Sequence, residues 1–248
     1  MAFIQMILAI VILGFLYTRM LKRETPEPVG KLQAIVPVPL GILSLLLSLI
    51  FTLAFGALFA SMGFSSGNIE ILPLRALFSA FFVAGLTEEL AKILMMLLSI
   101  KLFRPKNVYE YILIGAGVGV GFTVFEEFIY GSGAAALTRI ITIALHVAFG
   151  VIMAKHIGTA AFRKIHYGGS AAAEYVQAFV IPVLLHTCYD AATANNPVIK
   201  AADDFSDLSL GAGIVIGAAA VIAGAIGQVV VLVRARKNTE KYCGMATR

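Results

Sequence analysis

The chain has 248 residues, 60% of them hydrophobic and only 13% charged, with a mean hydropathy of +0.93. That composition excludes a soluble domain and reads as an integral membrane protein. The net charge of +5 does not point to nucleic acid, because the basic residues sort into loops between apolar stretches.

At about twenty apolar residues per crossing, the sequence predicts an all-α membrane bundle of about seven transmembrane helices. The spans fall near 2–18, 35–60, 73–100, 109–130, 135–155, 174–193 and 208–233. No soluble domain or repeat interrupts them, so 1–248 reads as one membrane domain. No basic residue precedes the apolar run Ala2 to Tyr17, and Arg19, Lys22 and Arg23 follow it. That order predicts a retained first helix with the N-terminus outside. A Pro-containing connector, Lys22 to Pro28, leads to the second span. The third opens at Pro73 and ends in a basic turn, Lys101, Arg104 and Lys106. A polar segment with Arg163, Lys164 and His166 separates spans five and six. A polar loop with Asp203, Asp204 and Asp207 follows Asn195-Asn196-Pro197, and a basic tail ends the chain. In this layout Arg19, Lys22, Arg23, Lys31, Lys101, Arg104, Lys106, Lys155, Arg163, Lys164, Arg234, Arg236, Lys237, Lys241 and Arg248 lie inside. Only Lys200 lies in an outside loop. The asymmetry predicts a cytoplasmic C-terminus.

Span four carries Gly115, Gly117, Gly119 and Gly121, two overlapping small-xxx-small pairs that let helix backbones approach closely. The glycines of span seven (Gly213, Gly217, Gly224, Gly227) read the same way, or as a dimer contact. Cys188 and Cys243 have neither disulfide nor metal spacing and read as free thiols.

The chemistry gathers elsewhere. Glu88, Glu89 and Lys92 sit inside the apolar third span, where ionisable groups are costly and usually functional. Lys92 is i,i+4 to Glu88 and i,i+3 to Glu89, so one lysine partly neutralises either carboxylate. Span four ends with Glu126 and Glu127. Span five contains Arg139 and His146, and span six contains His186 and Asp190 at i,i+4. At 1.5 Å per residue the two histidines lie roughly 10–15 Å below the outer surface, Glu126 roughly 5–10 Å and Glu88 roughly 20 Å. Each residue has a structural alternative. The Glu–Lys group could be a packing ion pair, His146 a core histidine, and His186 merely held by Asp190. Glu127 could face solvent, and Arg139 could snorkel to headgroups. Separate accidents on four helices are less economical than one shared site. Two imidazoles and a carboxylate (His146, His186 and Glu126) suit zinc with one position left for water. A further carboxylate could then act as general base, and Asp190 could orient His186 through its second ring nitrogen. Neither HExxH nor GxSxG occurs, which argues against a zincin or a serine hydrolase.

The order Glu88-Glu89-x-x-Lys92, Gly121-Phe122-x-x-x-Glu126-x-x-x-Tyr130, Arg139 with His146, and His186-x-x-x-Asp190 resembles the PrsW family of intramembrane peptidases. That family is related to the CAAX-prenyl endopeptidase and ABI superfamily. The resemblance covers about 85–190 and implies a catalytic core near 73–193. It implies Glu88 and Glu89 as catalytic carboxylates with His146 and His186 as their partners. Phe122 and Glu126 stand where the superfamily has a Phe-x-x-x-His element, and Asp190 where it has Asn or Asp. Glu127 departs from the Asn common at that place. The implied function is a membrane-embedded zinc metallopeptidase acting on a membrane protein. The family's best-known members make the first cut in a membrane-bound anti-sigma factor, on its extracytoplasmic side. The residues alone also admit a proton- or ion-coupled transporter using the buried Glu, His and Lys set, or a catalytically silent scaffold. Against a transporter, no matched pair of broken helices is visible.

Overall fold

A computed structural model describes residues 2–23, 28–131, 136–194 and 207–248. Part of the expected first connector (24–27) and most of the acidic loop (195–206, with Lys200) lie outside the described residues. Among the described residues regular structure is helical, apart from an isolated antiparallel bridge between Asn107 and Ala246. The helices are α1 (Ala2–Leu21), α2 (Lys31–Ile35), α3 (Pro37–Ser61), α4 (Leu72–Ala80), α5 (Leu86–Phe103), α6 (Val108–Tyr130), α7 (Ala136–Ile141), α8 (Leu145–Tyr167), α9 (Ala172–Ala192), α10 (Asp207–Lys237) and α11 (Thr239–Cys243). Among the described residues, five segments are long and apolar enough to cross a membrane: Ala2–Leu21, Lys31–Ser61, Val108–Tyr130, Thr138–Tyr167 and Ala212–Lys237.

Two expectations change in detail. The third span is not one regular helix, because a π-helical turn, Phe81–Gly85, separates α4 from α5. Thr87 Oγ1 donates to the Val83 carbonyl at 2.7 Å, and Gly85 admits the Thr187 side chain of α9 against the turn. The fifth span is also displaced. The chain breaks after Ile141, and α8 then runs unbroken to Tyr167. Arg163, Lys164 and His166, read as an inter-span segment, are therefore the last turns of a long helix.

Helix α6 is the axis of the bundle and is buried almost from end to end. Asn107 caps its N-terminus, accepting from Glu110 N at 3.0 Å. Its glycines divide as their spacing predicts. A Cβ at Gly115 would strike the Gly150 carbonyl, and one at Gly119 the backbone of His146 and Val147, so this face admits α8. A Cβ at Gly117 would strike Pro37 and Tyr17, and one at Gly121 the Val38 carbonyl, so the other face admits α3 and α1. In lipid such close backbone packing replaces the hydrophobic drive between helices. The glycines of α10 do not all behave alike: Gly224 packs on Tyr189, and Gly227 has nothing near its Cβ position.

The C-terminal tail closes one end of the bundle. Thr247 N donates to the Lys106 carbonyl at 2.8 Å, and Val108 N to the Met245 carbonyl at 3.1 Å. The C-terminal ends of α6 and α9 and the start of α8 meet at the opposite end, where the polar set gathers.

Candidate active site

Three helices bring the ionisable residues to one point. The π turn carries the chain from α4 into the first two turns of α5, which carry Glu88, Glu89 and Lys92. The break before α8 puts His146 at that helix's second residue. Helix α9 contributes His186 and, one turn later, Asp190.

Lys92 is fully buried and is the hub of this point. Its Nζ donates to Glu89 Oε1 at 2.6 Å and to His146 Nδ1 at 2.9 Å, and lies 3.8 Å from Glu88 Oε2. It also sits 4.0 Å from the centre of the Phe122 ring, a cation–π contact that shields the charge from lipid. An ammonium only donates, so His146 Nδ1 must accept, and its Nε2–H donates to Glu126 Oε2 at 2.8 Å. Arg139 stands behind that carboxylate, 3.1 Å from Glu126 and 2.9 Å from Glu127. It is a partner of two carboxylates rather than a snorkelling headgroup contact. Glu127 is buried beside it rather than facing solvent.

His186 Nδ1 donates to Glu89 Oε1 at 2.7 Å. In the neutral ring its Nε2 is then a free lone pair. Glu88 Oε2 and Asp190 Oδ2 each lie 3.8 Å from that nitrogen. The outer partner of His186 Nδ1 is therefore Glu89, where the sequence suggested Asp190. Glu88 Oε2 and Glu89 Oε2 are buried without a hydrogen-bond partner. Glu126, Glu127, Arg139, His146, His186 and Asp190 border a cavity of about 50 Å³, room for very little besides water.

This geometry meets the expected residues in one place. A family model for PrsW family intramembrane metalloproteases matches residues 38–226. The chain belongs to the PrsW family of intramembrane metalloproteases. It is accordingly a multi-pass membrane peptidase. No curated protein and no solved structure matches the chain.

The metal that a PrsW-type peptidase implies can be tested against these residues. Glu88, His146 and His186 each offer a ligand atom, all within 4.8 Å of one another. The unpartnered Glu88 oxygen and the free His186 Nε2 suit an incoming cation, and His146, whose ring nitrogens are engaged with Lys92 and Glu126, would complete the set by releasing one of those bonds. Glu126, expected from the sequence as a ligand, is engaged instead with His146 Nε2 and Arg139. Two residues beside the site escaped the sequence reading. Tyr189 hydrogen-bonds Thr142 Oγ1 at 2.9 Å. Gln228 of α10 accepts from Ala144 N at 2.9 Å and donates to the Ile141 carbonyl at 2.7 Å, tying off the break before His146. A lone amide in an otherwise apolar span was the available signal for Gln228.

Proposed function

We propose that the protein is an endopeptidase that cuts a membrane protein within the outer half of the bilayer, using a glutamate-activated water. The observation that carries this is the Glu88 Oε2 atom, buried and unpartnered, 3.8 Å from both His186 Nε2 and Lys92 Nζ. Those spacings are too long for direct hydrogen bonds, so the free Glu88 oxygen can accept from a water placed beside the His186 edge of the small polar cavity. Glu88 accepts the water proton as the oxygen attacks the scissile carbonyl carbon, then gives that proton to the leaving amine as the C–N bond breaks. We assign the base to Glu88 over Glu89, whose Oε2 is also unpartnered, because Glu89 is fully buried with its Oε1 committed to both Lys92 and His186, whereas Glu88 is partly exposed. Glu89 orients the imidazole and holds the ammonium. Lys92 places a buried positive charge where the tetrahedral oxyanion forms, in a site dry enough for that charge to count. Arg139 and Glu126 fix the His146 ring. Asp190, at the edge of the cavity, holds the approaching peptide by its backbone N–H.

Zinc is the ion we assign, held by Glu88, His146 and His186. When bound it would polarise the carbonyl and acidify the water. A carboxylate has two oxygens, so Glu88 can serve the ion with one and take the proton with the other.

The topology we propose keeps seven crossings, with residues 72–103 and Ala172–Ala192 completing the five apolar segments. The basic tail and the basic α5–α6 turn share one end of the bundle. The positive-inside tendency puts that end in the cytoplasm and the N-terminus outside. The site at the other end then opens to the outer half. The PrsW resemblance implies an anti-sigma factor as substrate.

The test is a map of new N-termini among membrane proteins of cells carrying wild type or Glu88→Gln. Cuts in the outer half of single spans, present with wild type and lost with Glu88→Gln at equal abundance, support the proposal. Loss of a general base should lower the rate about 10²–10⁴-fold. Identical maps from the two strains would sink it.

A further inference from the structure

A second cavity adjoins the site, and the mechanism does not use it. It holds about 260 Å³ between α8, α9 and α10. Leu145, Phe149, Cys188, Tyr189, Gly224 and Gly227 are among its walls. Leu145 and Tyr189 also border the small polar cavity, so the two spaces share a wall. The Phe149 ring lies 5.4 Å from the His186 ring.

The polar groups of this wall are already spent. Gln228 uses its oxygen and its nitrogen on the backbone at Ala144 and Ile141, and the Tyr189 hydroxyl is paired with Thr142. An occupant is thus offered apolar surface and no hydrogen bond, and a polar side chain entering would lose water without compensation. The open end is kept by glycine. A Cβ at Gly227 would meet nothing within 4 Å, whereas Gly224 is closed by Tyr189.

We propose that this cleft is the specificity pocket of the peptidase, taking one large apolar side chain from the residue next to the scissile bond. It rests on the endopeptidase reading above. A peptide whose carbonyl reaches Glu88 and His186 has its neighbouring side chain within a few ångströms of Leu145 and Tyr189. The cleft would then select leucine or phenylalanine there and reject glycine and aspartate.

Cys188 is exposed and lines the cleft, so it reports occupancy without any turnover. The probes are phosphinic pseudodipeptides, which mimic the tetrahedral intermediate, carrying a leucine or a glycine side chain at that position. The metal-loaded protein in liposomes is treated with N-ethylmaleimide, and peptide mass spectrometry separates Cys188 from Cys243. Binding of each probe is measured in parallel by calorimetry. The leucine probe should bind about tenfold or more tighter than the glycine probe, the value of burying one such side chain, and should slow Cys188 alkylation. Gly227→Leu should fill the cleft and erase that preference, and Gly227→Ala should have a smaller effect. Equal affinity of the two probes, or a leucine preference that survives Gly227→Leu, overturns the pocket and leaves the peptidase reading standing. Failure of both probes to bind wild type overturns the pocket and the peptidase reading together. Slow alkylation in liposomes that no probe alters, and that detergent without lipid relieves, assigns the cleft to an acyl chain and also overturns the pocket.

Discussion

Lys92→Met is the most informative single change, because the lysine is fully buried and its stem is close in shape to methionine. The substitution keeps the packing against Phe122 and removes the charge. It strands Glu89, whose Oε1 loses its 2.6 Å bond while its Oε2 already has no partner. Removing one member of a buried ion pair typically destabilises by about 3–5 kcal/mol, since the other charge stays buried. Part of this will be offset, because His186 Nδ1 still donates to Glu89 at 2.7 Å. We therefore expect a loss near the lower end, about 3 kcal/mol. The cost lies in the stranded carboxylate, so neutralising it should recover most of the loss. Lys92→Met with Glu89→Gln should be more stable than Lys92→Met alone, with a coupling of about 1–3 kcal/mol in a double-mutant cycle. Reversible unfolding in mixed detergent micelles measures all four proteins. Additivity of the two single changes, or a Lys92→Met protein as stable as wild type, would refute the argument that Lys92 is the charge partner of Glu89.

The other predictions follow from the same contacts. Gly121→Leu should disrupt α3 against α6, because even a Cβ there would overlap the Val38 carbonyl, costing about 1–3 kcal/mol or more in the same assay. The same change at Gly227 should be nearly neutral for stability. Gln228→Leu strands the Ala144 N–H and the Ile141 carbonyl, so about 1–3 kcal/mol per group is expected, with faster amide exchange at Ala144. Exchange at Ala144 that stays at the wild-type rate would contradict that role. Chelation should abolish cleavage with the fold intact, and zinc should restore it. Full activity in protein shown to be metal-free would leave Glu88 as the activating group without an ion.

Much of the site was legible because membranes make polarity expensive. Glu88, Glu89, Lys92, His146 and His186 stand out in apolar spans, and the structure brings all five together. The alternating glycines of span four were equally legible, since a helix puts Gly115 and Gly119 on one face and Gly117 and Gly121 on another. What the sequence did not yield is the division of labour. Nothing in the spacing says that Glu89 holds both Lys92 and His186 while Glu88 stands 3.8 Å from each. That depends on which way each carboxylate leaves the helix. Arg139 shows the same limit: near a predicted helix end it suits a headgroup contact, and only the approach of α7 to α6 supplies Glu126 and Glu127 instead.

The π turn ties the backbone to the chemistry. An α-helix continuous from Leu72 would fix the phase of Glu88 and Glu89 relative to the aromatic face of α4. One wide turn at Phe81–Gly85 shifts that phase, so the segment can pack Phe78 and Phe82 against Phe59 on one side and aim Glu89 inward on the other. The Val83 carbonyl within it accepts from Thr87, and from Thr52 of α3 at 3.3 Å. Two threonines therefore brace the turn, on the segment that carries the proposed base. π-helical turns inside α-helices are frequent at functional sites for this reason: they give adjacent stretches of one helix two different orientations.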